Sequence, residues 1–264
     1  MKQKLFFSII LIAFSLCFFQ NTILAQGNPA IPSKNAFMLE LNFKPFGDDI
    51  ISFNQLQLKY KLNDNLALRL GLAFDYNTWD LSGDDYDPSE IYSVSGEDKS
   101  TEFGILPGIE YHFLKNSKVS PYLGLEFSFF NRSVESHYKD IYREYDYDKG
   151  GYYYVPVEID IDGATRNVFS EYHEYNNGYH YCTYTEYSER AYSSFGGNLL
   201  IGSDFYFMRN MYVGVEVGLG YNHFNYKKVK IDVSNEVNPT ILPSYTTTEF
   251  KFYYNSALRL GFWF

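Results

Sequence analysis

Residues 66–76 read LALRLGLAFDY. Leu66, Leu68, Leu70, Leu72, Phe74 and Tyr76 share one parity, and Ala67, Arg69, Gly71, Ala73 and Asp75 share the other. Successive side chains of a β-strand point to opposite sides, so strict alternation over eleven residues predicts a strand with one apolar face. The pattern returns in 37–43, 103–113, 123–129, 195–207, 211–221 and 250–264. An eighth segment, 51–62, alternates from Leu56 to Leu62 but carries Ile51 and Phe53 out of phase. A chain built from eight such segments is all-β and must find a solvent for eight apolar faces.

The charges say which solvent. The seven regular segments hold nine charged residues: Glu40, Arg69, Asp75, Glu110, Glu126, Asp204, Glu216, Lys251 and Arg259. All nine lie on the parity opposite the large apolar side chains. A water-soluble sandwich also alternates. Here, however, the apolar face is crowded with Leu, Phe and Tyr in every segment, while Gly, Ala and Ser are frequent on the other. That arrangement fits a narrow polar lumen inside a wide apolar belt. In a bilayer, Lys or Arg on the lipid face costs about 2–4 kcal/mol at the midplane. Aromatic residues make up 20% of the chain, with 27 Tyr and 24 Phe. Tyr and Trp settle where lipid meets water.

The connections alternate after the first, 44–50. Segments 63–65, 114–120 and 208–210 are tight, with turn residues Asn63-Asp64-Asn65, Lys115-Asn116-Ser117 and Arg209-Asn210. Segments 77–100, 132–190 and 227–248 are long. Short turns on one side and long loops on the other are the habit of outer-membrane barrels. Eight strands place both ends of the barrel on the tight-turn side.

The start of the chain points to export. Met1-Lys2-Gln3-Lys4 is basic, Leu5 to Phe19 is nearly unbroken apolar sequence, and a small residue stands at Ala25. This is the layout of a secretory signal peptide, predicted over 1–25, followed by a short lead over 26–34. Its apolar run falls short of the ~20 residues of a spanning helix. Cys17 follows Leu16, which disfavours a lipoprotein signal. Removing Lys2 and Lys4 from the 22 basic residues leaves 20 against 32 acidic ones, a balance that argues against nucleic acid. Cys182 is then the one cysteine left, so no disulfide can form within the chain.

With these residues in view, the chain resembles the small outer-membrane β-barrel family, the OmpA/OmpX-type barrels. The resemblance covers Asn35 to Phe264 and is carried by PYLGLEFSF (121–129), LLIGSDFYFMRNMYVGVEVGLGYN (199–222) and LRLGFWF (258–264). It implies a transmembrane antiparallel up-and-down barrel over 35–264, periplasmic termini, and residence in the outer membrane of a Gram-negative-type envelope. It also implies that Leu258, Leu260, Phe262 and Phe264 form the C-terminal signal read by the barrel-assembly machinery. The family hosts adhesins, enzymes, pores and structural barrels, so it says little about function.

Three features depart from that pattern. Pro107 stands inside a strand that a closed barrel pairs on both edges, and it has no N–H to give. The phase slip at 51–53 predicts a bulge or the outer rim. Connection 132–190 is too long to lack structure. Within it, 151–163 alternates and ends on the turn signal Asp162-Gly163, with 164–172 as return partner. The reading is a projecting hairpin on eight strands; ten strands, with Asp162-Gly163 as a periplasmic turn, is the alternative.

An eight-stranded lumen is filled by side chains. Its expected occupants are Glu40, Lys59, Arg69, Glu110, Glu126, Glu216, Lys251 and Arg259, with His112. They form a structural ion-pair network or, alternatively, a gated polar path. Outside, segment 132–190 carries 12 acids, 6 bases and 13 tyrosines. Tyr152, Tyr153, Tyr154, Tyr179 and Tyr181 are candidates for protein or glycan recognition, since Tyr offers stiff amphipathic contact area. Loop carboxylates could share divalent cations with lipopolysaccharide phosphates. His137, His173, His180 and His223 fall on the outer side with no nucleophile motif beside them. His173 and His180, near Glu171 and Glu174, make a weak metal pattern. No catalytic residue, metal or cofactor is expected. The expected function is a non-enzymatic barrel with structural or surface-recognition loops. A narrow pore for small or apolar solutes is the runner-up, and a rim-located lipid- or peptide-modifying enzyme the third class.

Overall fold

The computed structural model describes residues 31–264 apart from 33, 44–50, 88–89, 115–116, 147–148, 176–177 and 254–257. The expected signal segment, 1–25, lies outside the described residues. The described strands are β1 (Phe37–Phe43), β2 (Ile51–Lys61), β3 (Leu66–Asp87), β4 (Glu90–His112), β5 (Val119–Asp146), β6 (Gly151–Asp162) and β7 (Thr165–Tyr175). They continue with β8 (Gly178–Ser188), β9 (Tyr192–Met208), β10 (Met211–Tyr226), β11 (Val229–Val233), β12 (Thr240–Leu242), β13 (Tyr245–Tyr253) and β14 (Leu258–Trp263). No described helix is long and apolar enough to cross a membrane, which says nothing of a crossing made with strands.

Eight positions close into an antiparallel ring. β1 pairs β2, and the ladder continues through β3, β4, β5, β9 and β10 to β14, which pairs β1 again. β13 and β14 share one edge of β10, at Gly218–Tyr226 and Met211–Gly214 respectively, and so fill one position in the wall. The closing hydrogen bond at the rim runs from Phe264 N to Phe37 O, 2.9 Å. Two of the tight connections, 63–65 and 208–210, behave as turns. Asn63 Oδ1 accepts from the Asn65 and Leu66 amides at 2.9 Å each, and Asn210 takes the left-handed backbone at φ 65°. The β9–β10 ladder shifts between Met211 and Tyr212, as a tight hairpin with a bulge does.

The strand departures have local accounts. Leu41 faces Leu56 but Phe43 faces Ile51, so a bulge absorbs the phase slip at the start of β2. At Pro107 there is no bulge. β4 pairs β5 at Ile105–Phe129 and again at Gly108–Glu126 in unchanged register, and Leu106 and Pro107 simply lack partners on that side. The missing N–H is met by a gap in one ladder, while Pro107 still faces Leu70 on β3.

Segments expected as external loops are largely strand. β3 and β4 run on together past the ring to Asp87 and Glu90. β5 changes neighbour midway: 119–132 pairs β9, and 135–146 pairs β6. This corrects the expected partner of 151–163. Its mate is 135–146, not 164–172, which as β7 pairs β8 alone. The reason is local: 135–146 reaches 151 across a short turn and offers twelve ladder positions, whereas 164–172 has no apolar face to bury. β6 also pairs β11, which pairs β12. The 151–162 segment thus stays out of the ring, and the count is eight rather than ten.

Three layers fill the molecule along the ring axis. At the tight-turn end, Ala36, Met38, Tyr206, Tyr212 and Trp263 pack together. Gly261 is required there, because an added Cβ would come within 2.1 Å of the Tyr212 ring. Buried charges occupy the middle. Beyond the far rim, Val157, Ile159, Ile161, Val229 and Ile231 form a second apolar core with Tyr138.

Candidate functional site

The ring alternation drives one charged or polar side chain from each position into the centre. Glu40 comes from β1, Lys59 from β2, Arg69 from β3, Glu110 from β4, Glu126 from β5, Asp204 from β9, Glu216 from β10 and Arg259 from β14; all are at most 4% exposed. They make one connected cluster. Arg69 Nη1 donates to Glu110 Oε1 at 2.9 Å and Glu216 Oε2 at 2.7 Å, and Nη2 lies 2.9 Å from Glu126 Oε2. Arg259 Nη1 sits 3.3 Å from both Glu40 Oε2 and Glu216 Oε2, and Nη2 donates to Asp204 Oδ1 at 3.0 Å. Lys59 Nζ lies 2.8 Å from Glu40 Oε1 and Glu110 Oε1.

Phenols complete the wiring. Tyr122 donates to Glu216 Oε2 and Tyr212 to Glu40 Oε1, both at 2.5 Å. Arg259 Nη2 also donates to the Tyr122 hydroxyl. Buried charges are tolerated only when paired and hydrogen-bonded. Each cation here meets at least two carboxylates from other strands, so the cluster ties the ring across its diameter.

Seven of the eight expected interior residues meet in this cluster. The side chain of the eighth, Lys251, lies outside the described residues; its backbone faces Gly220. Sequence reasoning placed Asp204 on the interior parity without joining it to the network. It missed Tyr122, Tyr206 and Tyr212, whose parity was available to be read but whose residue type suggested a lipid boundary.

His112 borders the cluster. Its Nε2 is 3.3 Å from Glu110 Oε2, and its Nδ1 is 2.8 Å from Ser120 Oγ. Donor atoms of Glu110, His112 and Asp204 all lie within 4.8 Å of one another, and all three residues are buried. These are the described residues that could hold a metal ion.

On β14 and the residue after it, Leu260 and Phe262 are half-buried and Phe264 is 60% exposed, alternating with buried Arg259, Gly261 and Trp263. The side chain of Leu258 lies outside the described residues.

The outer extension offers a second surface. Glu97, Lys99, Glu135, His137, Asp160, Asp162 and Asp232 line a cleft of about 240 Å³. His137 Nδ1 lies 2.6 Å from Asp160 Oδ1. Ser136, next in sequence, also lines this cleft and donates its hydroxyl to the Ala164 carbonyl. Tyr138 is buried below, its phenol 2.5 Å from Asp98 Oδ1. Burial, and then the Asp98 contact, push that phenol up to about 12. Of the tyrosines expected to recognise ligands, Tyr153 is 46% exposed on β6. The side chains of Tyr152, Tyr154, Tyr179 and Tyr181 lie outside the described residues. The β7–β8 register sets His173 opposite His180.

No protein-family model matches the chain, and no curated protein matches it. Among solved structures, it is similar to the N-terminal β-barrel domain of Pseudomonas aeruginosa OprF: 13% identity over 88% of this chain and 100% of that one, TM-score 0.30. It is also similar to the β domain of the Bordetella autotransporter BrkA: 8% identity over 87% of this chain and 97% of that one, TM-score 0.16. Scores this low lie below that of a shared fold. The closed ring rests on its own strand pairing.

Proposed function

We propose that this chain is a membrane-spanning β-barrel of a Gram-negative-type outer membrane, non-enzymatic and closed to solutes, which carries an acidic, tyrosine-rich extension for recognition outside the cell. The observation that supports it most is the division of the ring. Charges and phenols are gathered within, and the outward face bears large exposed apolar side chains on neighbouring strands, among them Leu70, Ile105, Leu125, Leu199, Ile201 and Val217. From Leu66 to Tyr76 the apolar parity of β3 spans ten steps. At ~3.3 Å per step and ~40° tilt this is about 25 Å, the height of a barrel's lipid band. Aromatic pairs stand at its tight-turn rim: Phe37 with Tyr60 at 4.7 Å, and Tyr111 with Phe113 at 5.6 Å. Water would charge about 25 cal/mol for each Å² of that belt, whereas lipid would not.

The extension is the part left free to meet a partner. Its cleft and Tyr153 suit a cationic or glycan surface, and its carboxylates could share divalent cations with lipopolysaccharide. Assembly through the machinery that reads C-terminal aromatic strands follows from the same proposal. The runner-up, a narrow pore, is separated by conductance in planar bilayers. The filled interior supports near-zero conductance, and stable single-channel steps from the folded wild-type chain would replace our reading with the pore.

A further inference from the structure

We infer that the interior cluster holds one divalent metal ion of the zinc class, bound by Glu110, His112 and Asp204. Charge is the first argument. Among the described side chains, the connected cluster carries five carboxylates, from Glu40, Glu110, Glu126, Asp204 and Glu216, against three cations, from Lys59, Arg69 and Arg259. Lys61, 5% exposed, makes no direct ion pair among the described residues, but its charge acts on Asp204. Even with Lys61 counted, the described side chains leave one buried carboxylate without a cation, which is costly, and a divalent cation relieves it.

Geometry says where the ion sits. Glu110 Oε1 is taken by Lys59 and Arg69, but the buried Glu110 Oε2 makes no hydrogen bond of good geometry. It faces His112 Nε2 at 3.3 Å. Two donors bound to one tetrahedral zinc at ~2.0–2.1 Å stand about 3.3 Å apart. Asp204 Oδ2 is the loosest carboxylate oxygen of the Lys59 group, 3.7 Å from Nζ. It can swing to the metal while Lys59 stays with Glu40. Ser120 Oγ, 3% exposed as a residue, can accept the Nδ1 proton of His112, the tautomer that frees Nε2 to ligate. One imidazole with two carboxylates favours zinc or cobalt over calcium or magnesium, which take oxygen. Sequence spacing could not show this set, because Asp204 arrives from a strand more than ninety residues away.

The test refolds the full mature chain in detergent with Zn²⁺, or with Co²⁺ as a spectroscopic probe, and then dialyses it against EDTA. About one metal per folded chain should survive, because the ion is enclosed. X-ray absorption should show one imidazole among oxygen donors. His112→Gln should lower retained metal at least tenfold while heat-modifiable mobility persists; His137→Ala, in the outer cleft, should not. A folded wild-type chain that retains no metal overturns the inference. So does a site with no imidazole or with two, a reading of the wild type that holds even if His112→Gln fails to fold.

Discussion

At the scale of residues, the cluster makes each interior cation a cross-link. Arg259 joins Glu40, Asp204 and Glu216 from three other strands. Replacing it with Met keeps much of the bulk but strands these carboxylates. Arg259→Met should cost about 3–5 kcal/mol, read as a lowered urea midpoint for loss of the heat-modifiable band. A change under about 0.5 kcal/mol would mean the cluster is incidental. Much of this site was legible beforehand. Parity alone assigns Glu40, Arg69, Glu110, Glu126, Glu216 and Arg259 to the interior, because a strand's period of two leaves a charge one of two faces. Parity does not say which residues meet across the ring. That depends on how far each strand is staggered against the next, which is why Asp204 with Arg259, and His112 with Asp204, were invisible.

At the scale of elements, the long connections are ordered strands with a core of their own. The sequence reading saw 151–163 as a strand but chose the wrong mate, because the competitor, 135–146, is rich in charge and tyrosine and gives a weak alternation signal. Tyr138 is the hinge of that packing. Its phenol donates to Asp98, and the Arg166 guanidinium lies over its ring at 5.6 Å. With a folded value of about 12 against ~10 when unfolded, the phenol stays protonated longer in the native state. Its contribution is therefore complete below about pH 10 and is lost as pH rises through about 12. The wild-type urea midpoint should fall more steeply over that interval than the Tyr138→Phe midpoint. Parallel slopes would show that the phenol is not held in this way.

At the scale of the whole molecule, the same alternation has two outcomes, and solvent chooses between them. Inside, Trp263 and Tyr206 pack together at one end of the ring and ion pairs occupy the middle. Outside, Ile201 stands 59% exposed near mid-height on β9, between Phe195 and Phe207. If that face meets water, Ile201→Arg is a surface substitution and changes stability by no more than about 0.5 kcal/mol. If it meets the middle of a bilayer, the charge costs about 2–4 kcal/mol. The decisive measurement is the urea midpoint of Ile201→Arg against wild type, both refolded into lipid vesicles. A loss of about 2–4 kcal/mol is the result this account predicts; a difference within about 0.5 kcal/mol would contradict it.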